Sequence, residues 1–122
     1  VRRGRTNTPL QSFVTLNDPV FVEAAQALAR KIVSEGGQSD ASRLEFAYRL
    51  LLSRSPSAAE SPRLIRLLAD ARAGFSSDRE RALKMATDPI GPLPNGGDSI
   101  ELASWSSVAN VLLNLDEVLM RR

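Results

Sequence analysis

With 122 residues and 43% hydrophobic side chains, the chain is long enough for one domain with one core and too apolar to stay disordered. It has no histidine and no cysteine, which excludes thiolate and imidazole nucleophiles, Cys/His zinc sites, haem attachment through C-x-x-C-H and any Ser-His-Asp triad within it. The formal charge of +2 conceals an asymmetry: Arg2, Arg3, Arg5, Arg121 and Arg122 sit at the two ends, so the body between them is net negative. A basic face for nucleic acid is not expected.

No apolar run approaches 18 residues, so no membrane span is expected. Val1 in place of methionine, with no charged-then-apolar leader behind it, leads us to expect a fragment or processed product without a visible signal peptide. Residues 1–7 read as a basic tail or junction and 121–122 as a second short tail, with a single domain over 8–120 between them.

The clearest local instructions come first. Thr8 fits an N-cap, Pro9 the first helical position, and Gln11 closes a capping box, so a short helix carrying Leu10, Phe13, Val14 and Leu16 is expected. Asn17 forms an elbow. Asp18 then caps, and Pro19 opens, a longer helix whose apolar stripe is Phe21, Val22, Ala25, Leu28, Ala29, Ile32 and Val33. Glu23, Gln26, Arg30 and Lys31 fall largely off that stripe, and Gly36 and Gly37 end it.

Ser39 or Asp40 caps the next helix, with Leu44, Ala47, Tyr48, Leu51 and Leu52 on one face and Phe46 and Leu50 widening it. That width predicts burial on more than one side. After the break at Ser53, Arg54, Ser55 and Pro56, Ser57 and Glu60 offer a capping box, although Ser61-Pro62 would also start a helix. The spacing favours a start at Ser57 with a distorted first turn. Leu64, Ile65, Leu67, Leu68 and Ala71 carry this helix to about Ala73, where Gly74 is placed to stop it. Ser77 and Glu80 then box a short helix through Ala82, Leu83, Met85 and Ala86, the alternative being one bent helix over 57–87.

Residues 88–97, DPIGPLPNGG, form the one long loop, too rich in proline and glycine for regular structure. Asp98 and Glu101 box the last helix, whose residues Ile100, Leu102, Ala103, Trp105, Val108, Ala109, Val111, Leu112 and Leu113 trace an apolar surface broad enough to be central. It should neighbour the first long helix. No run alternates with period two for long enough to argue a strand. The expected fold is all-α: a compact bundle of five or six helices in a single domain.

Candidate chemistry is sparse. Asn17-Asp18 and Asn114 with Asp116 and Glu117 would bring oxygens together for a hard cation if the chain ends met, but capping is the simpler use of each. The turn Pro94-Asn95-Gly96-Gly97 lacks the lysine and spacing of a phosphate loop, and Asp98 and Glu101 would repel an anion there. Arg49 and Arg54 either bind carboxylates on a partner or pair with Glu45 and Glu60. The stiff loop adds Ile90, Leu93 and Asn95 as partner-binding candidates, because such a loop loses little entropy on binding. No catalytic, cofactor-binding or metal residue is nominated.

Certain residues together carry a resemblance. They are Arg5, Thr8-Pro9-Leu10-Gln11, Leu16-Asn17-Asp18-Pro19, Phe21-Val22-Glu23 and Ala25; then Tyr48-Arg49, Leu52, Arg54, Pro56 and Glu60; and finally Trp105, Ala109, Leu112-Leu113-Asn114 and Glu117. The chain resembles the C-terminal part of a planctomycete-specific domain of unknown function, found at the end of large secreted proteins that often carry a cytochrome-c-like domain. The resemblance implies an extracytoplasmic module partnered by other domains of its parent protein, and it supplies no catalytic residue. Any haem would belong to another domain. The function expected is therefore a non-enzymatic structural or interaction module, with three rivals. These are a small-ligand or carbohydrate-binding module using the 88–97 loop, a nucleic-acid binder using the terminal arginines, and a hydrolase using only carboxylates.

Overall fold

A computed structural model describes residues 19–115. Five helices account for them: α1 (Pro19–Glu35), α2 (Asp40–Leu52), α3 (Glu60–Ser76), α4 (Arg79–Thr87) and α5 (Ser99–Leu113). There is no strand among the described residues, and none of these helices is long and apolar enough to cross a membrane. The all-α expectation holds. The short helix at Thr8–Leu16 and the Asp18 cap lie outside the described residues, but α1 does begin at Pro19.

α5 is the axis of the bundle. It packs against α1, α3 and α4, while α1 meets α2 and α4, and α3 meets α2 and α4, so the other four helices close around it. Its residues Leu102, Ala103, Ser104, Trp105 and Ser106 are buried in succession, which a helix achieves only when neighbours cover every side. Alanines at the contacts, among them Ala25, Ala29, Ala47, Ala103 and Ala109, are at most marginally exposed and let the backbones approach closely. The main core joins Ile32, Leu44, Tyr48, Leu68, Trp105 and Leu112 from four helices, and a smaller cluster of Phe75, Ala82 and Ala103 secures α4.

Several helix ends follow the sequence closely. Gly36 donates back to the Ile32 carbonyl (2.8 Å), and Gly37 takes φ +95°, a conformation that favours glycine. Ser39 caps α2 by accepting from the Ser42 amide, 3.1 Å. Ser57 and Glu60 form the full reciprocal box: the Glu60 amide donates to Ser57 Oγ (3.1 Å) and the Ser57 amide to Glu60 Oε1 (2.9 Å). Ser61 N–H already bonds the Ser57 carbonyl at 3.0 Å. Pro62 thus sits in the first turn, and the carbonyl it leaves without a helical donor belongs to exposed Ala58, where water serves it.

Other expectations are corrected. α3 runs through Gly74 to Ser76, because stopping at Ala73 would leave Phe75 outside the core; the ring is 6% exposed, with the Arg81 guanidinium 4.7 Å over it. Asp78, not Ser77, caps α4, accepting from the Arg81 amide at 3.1 Å, while Ser77 Oγ turns back to the Gly74 carbonyl. The short helix expected after this break is separate, and the alternative of one bent helix does not form. Leu50 does not widen the buried face of α2: it is 47% exposed, whereas Leu44, Ala47, Tyr48 and Leu52 are buried. α5 ends at Leu113, with Asn114 as its C-cap.

Candidate functional site

Charged and amide side chains are gathered into three assemblies, each spanning several elements. At the first, Arg72 on α3 makes two bidentate pairs. Its Nη1 and Nη2 donate to Asp40 at 2.7 and 2.8 Å, and its Nε and Nη2 donate to Glu101 at 2.7 Å each. Arg43 completes the group with Nη1 3.5 Å from Glu101 Oε1, Nη2 on the Val33 carbonyl and Nε on the Gly37 carbonyl. The group clasps the end of α1, the start of α2, the middle of α3 and the start of α5. Hydrogen bonds from Arg72 hold the Asp40 carboxyl below its usual range, and those to Asp40 and Glu101 push the Arg72 pKa up.

This clasp corrects the box expected at α5. Asp98 does cap it, accepting from the Ile100 amide at 2.9 Å, but Glu101 reaches across to two arginines instead of back to its own turn. A bidentate guanidinium offers a carboxylate more than a lone amide at a solvent-facing helix end.

The second assembly fixes the proline and glycine loop. Gln26 is only 1% exposed, and its amide donates to the Met85 carbonyl (2.6 Å) and the Asp88 carbonyl (2.8 Å) while its oxygen accepts from the Ile90 amide (3.2 Å). Arg30 donates to the Ala86 and Gly91 carbonyls at 3.1 and 2.7 Å. Gln26 and Arg30 therefore do not face water beside the apolar stripe of α1. They lie on its flank, one and two turns along, and stand in for the secondary-structure partners that residues 85–91 lack.

The third assembly contains two residues nominated from sequence. Arg54 pairs bidentately with Glu60, at 2.9 and 3.1 Å, and lies 5.3 Å over the Tyr48 ring. Arg49 pairs with Glu45 one turn before it, and Ser55 Oγ donates to the same carboxylate at 2.6 Å. Both arginines thus take the internal pairing that was the alternative to a partner. The Arg54 bonds and the Ser57 amide draw the Glu60 pKa down from 4.5 to about 2.

A pH prediction follows with a definite sign. A carboxylate whose pKa is lowered by folding contributes stability that is complete above its unfolded value and lost as pH falls through the folded one. Glu60 should therefore weaken the fold between pH 4.5 and about 2. Asp40 acts in the same direction below its own ordinary value. Urea unfolding midpoints measured down this range should fall less steeply for Glu60→Gln than for the unaltered chain. Parallel profiles would remove Glu60 as a source of acid sensitivity.

Of the loop candidates, Ile90 is half-buried with its amide on Gln26, Leu93 is half-buried, and Asn95 is exposed. Asn95 borders a cleft of about 320 Å³ whose walls include Arg30, Ser34, Arg43, Gly97 and Asp98. A second cleft, of about 260 Å³, opens at the other end of α5 between Leu64 and Leu67 of α3 and Val111 and Leu115, with Tyr48, Glu60 and Arg63 around it. The first mixes Arg30, Arg43, Asn95, Asp98 and Glu101 with Val33, Pro94 and Leu102, while the second is mainly apolar, with Glu60 and Arg63 as its charged members.

The calcium arrangement weighed from sequence falls mostly outside the described residues. Asn114, which is inside them, spends its amide on the Asn110 carbonyl at 2.8 Å. No group of three or more metal-ligating side chains occurs among the described residues. The signal for Gln26 and Arg30 was present only as two polar residues, four apart, bordering an apolar stripe and facing a loop poor in its own hydrogen bonds.

No curated protein and no solved structure matches the chain. A family profile described as "PSD1: Protein of unknown function (DUF1553)" matches residues 1–68, which take in α1, α2 and the first half of α3. That match covers more than half of the sequence, and the chain belongs to this uncharacterised domain family.

Proposed function

We propose that this chain is a non-enzymatic structural or protein-interaction module, placed at the C-terminal end of a larger secreted planctomycete protein of a kind that often carries a cytochrome-c-like domain. The observation that carries this reading is how the carboxylates are used. Asp40, Glu60 and Glu101 each accept from arginines outside their own helix, and Glu45 accepts from Arg49 one turn along α2. A carboxylate held ionised by a guanidinium is a poor general acid, and one occupied by two donors has little capacity left for a substrate proton. Together with the lack of histidine and cysteine in the sequence, this argues against the carboxylate-only hydrolase. The secreted, extracytoplasmic setting and the planctomycete origin rest on the resemblance carried by the opening TPLQ and LNDP segments.

The partners in this reading are other domains of the same parent protein, met through exposed Arg49 and Asn95 and half-buried Leu93. When the chain and the remainder of its parent are expressed separately, they should co-elute on size-exclusion chromatography. Exchanging Leu93 and Asn95 together for aspartate should reduce the co-eluting fraction while leaving the circular dichroism unchanged. Independent elution of two folded partners would remove the reading.

One observation favours a second reading, a small-ligand or carbohydrate-binding module. Residues 94–97 of the loop do wall a cleft with Arg30, Ser34 and Arg43. No aromatic ring borders that cleft for a sugar face to stack on, so the interaction module remains the better account.

A further inference from the structure

We infer that the cleft between α3 and the end of α5 seats an acidic amphipathic helix of a partner protein. The inference rests on the interaction-module reading and adds where contact is made and what makes it.

Three features of the cleft point to this occupant. Its lining is mostly apolar: Leu64, Leu67, Val111 and Leu115 join the Tyr48 ring, and Val111, 39% exposed, is the one residue of α5 left exposed. A helix spaced for i, i+3 and i+4 contacts presents side chains of the right kind to such a cleft. The lining residues Glu60, Arg63, Leu64 and Leu67 themselves recur at that spacing, so one wall of the cleft follows α3.

The charges select the partner's sign. Glu60 is neutralised by its bidentate pair with Arg54, whereas Arg63 in the lining takes part in no ion pair among the described residues. Arg66, exposed one turn further along α3 and just outside the lining, is likewise without one among the described residues, and Asp70 beyond it pairs with neither. The rim of the apolar groove is therefore cationic. Carboxylates flanking the apolar face of a docked helix would find guanidinium partners there, and lysines would meet repulsion.

The probe is a short helical peptide, fluorescently labelled, with leucines along one face flanked by glutamates; its counterpart has lysines in place of the glutamates. Titrated with the full chain and followed by anisotropy, the glutamate peptide should bind saturably and at least roughly tenfold more tightly than the lysine peptide. Arg63→Glu should abolish or invert that preference, and Val111→Asp should weaken both peptides. Neither residue braces the core, and circular dichroism should confirm intact helices. Arg79→Glu, on α4, should change nothing.

Equal binding of the two peptides, or binding indifferent to both Arg63→Glu and Val111→Asp, would overturn the inference. Binding that appears only after removal of residues 116–122 would make the chain itself the occupant. A self-association of the chain, seen by sedimentation and lost in Val111→Asp, would assign the cleft to a second copy. If neither peptide binds while the chain still co-elutes with the rest of its parent, this site falls and the interaction-module reading stands; if co-elution fails as well, both fall.

Discussion

Replacing Trp105 by alanine is expected to lower the free energy of unfolding by about 3–5 kcal/mol, the largest effect of any single side chain in this fold. Trp105 is completely buried, on the helix that the others surround, and it belongs to the cluster holding Ile32 of α1, Leu44 and Tyr48 of α2 and Leu68 of α3. Removing the indole would open a cavity that four helices share, which cannot collapse without shifting all of them. Its ring nitrogen has no hydrogen-bond partner among the described residues. Trp105→Phe therefore breaks no bond and leaves only the smaller volume change, about 1–2 kcal/mol. Chemical denaturation followed by circular dichroism distinguishes the cases, since the sole tryptophan fluorophore is lost in both variants. A loss below about 1 kcal/mol for Trp105→Ala would mean that α5 is not the structural axis.

The sequence made α5 and its central place legible because apolar residues surround that helix on nearly every side, a pattern satisfied only by burial. Caps such as Ser39 and the Ser57–Glu60 box were equally readable, since their partners lie within four residues. Long-range polar pairing was not. Glu101 has the spacing of a capping box with Asp98, and nothing local reveals that Arg72, 29 residues away, presents a better partner. Asp40 likewise reads as a helix-start residue and serves as half of a clasp. The same limit applies to the candidate site. Arg49 and Arg54 were visible as arginines near a helix end, and their pairing with Glu45 and Glu60 was readable because those partners are four and six residues away. The apolar cleft was invisible, because it joins α3 to a part of α5 more than 40 residues distant in sequence.

Gln26 is the sharpest instance of what local pattern conceals, and it carries the second large effect: Gln26→Leu should destabilise the chain by about 3 kcal/mol although it buries a more apolar side chain of similar size. On hydropathy alone the substitution extends the α1 stripe and should stabilise. Against that, it strips partners from the Met85 carbonyl in the last turn of α4, the Asp88 carbonyl just past it and the Ile90 amide in the loop. Each buried group left unpaired costs about 1–3 kcal/mol, more than one leucine gains over glutamine at a site already closed to water. Gln26→Glu supplies the complementary test. It keeps an acceptor for the Ile90 amide but sets a buried carboxylate against two carbonyl oxygens, so its pKa should rise on folding. An acid whose pKa is raised by folding destabilises above its unfolded value, and the penalty fades as pH falls. Gln26→Glu should accordingly lie closer to the unaltered chain at pH 4 than at pH 7, whereas the deficit of Gln26→Leu should not narrow. Hydrogen exchange at the Ile90 amide reports the loop directly and should accelerate in Gln26→Leu. An unchanged denaturation midpoint together with unchanged exchange at Ile90 would show that Arg30 and the prolines hold the loop without Gln26.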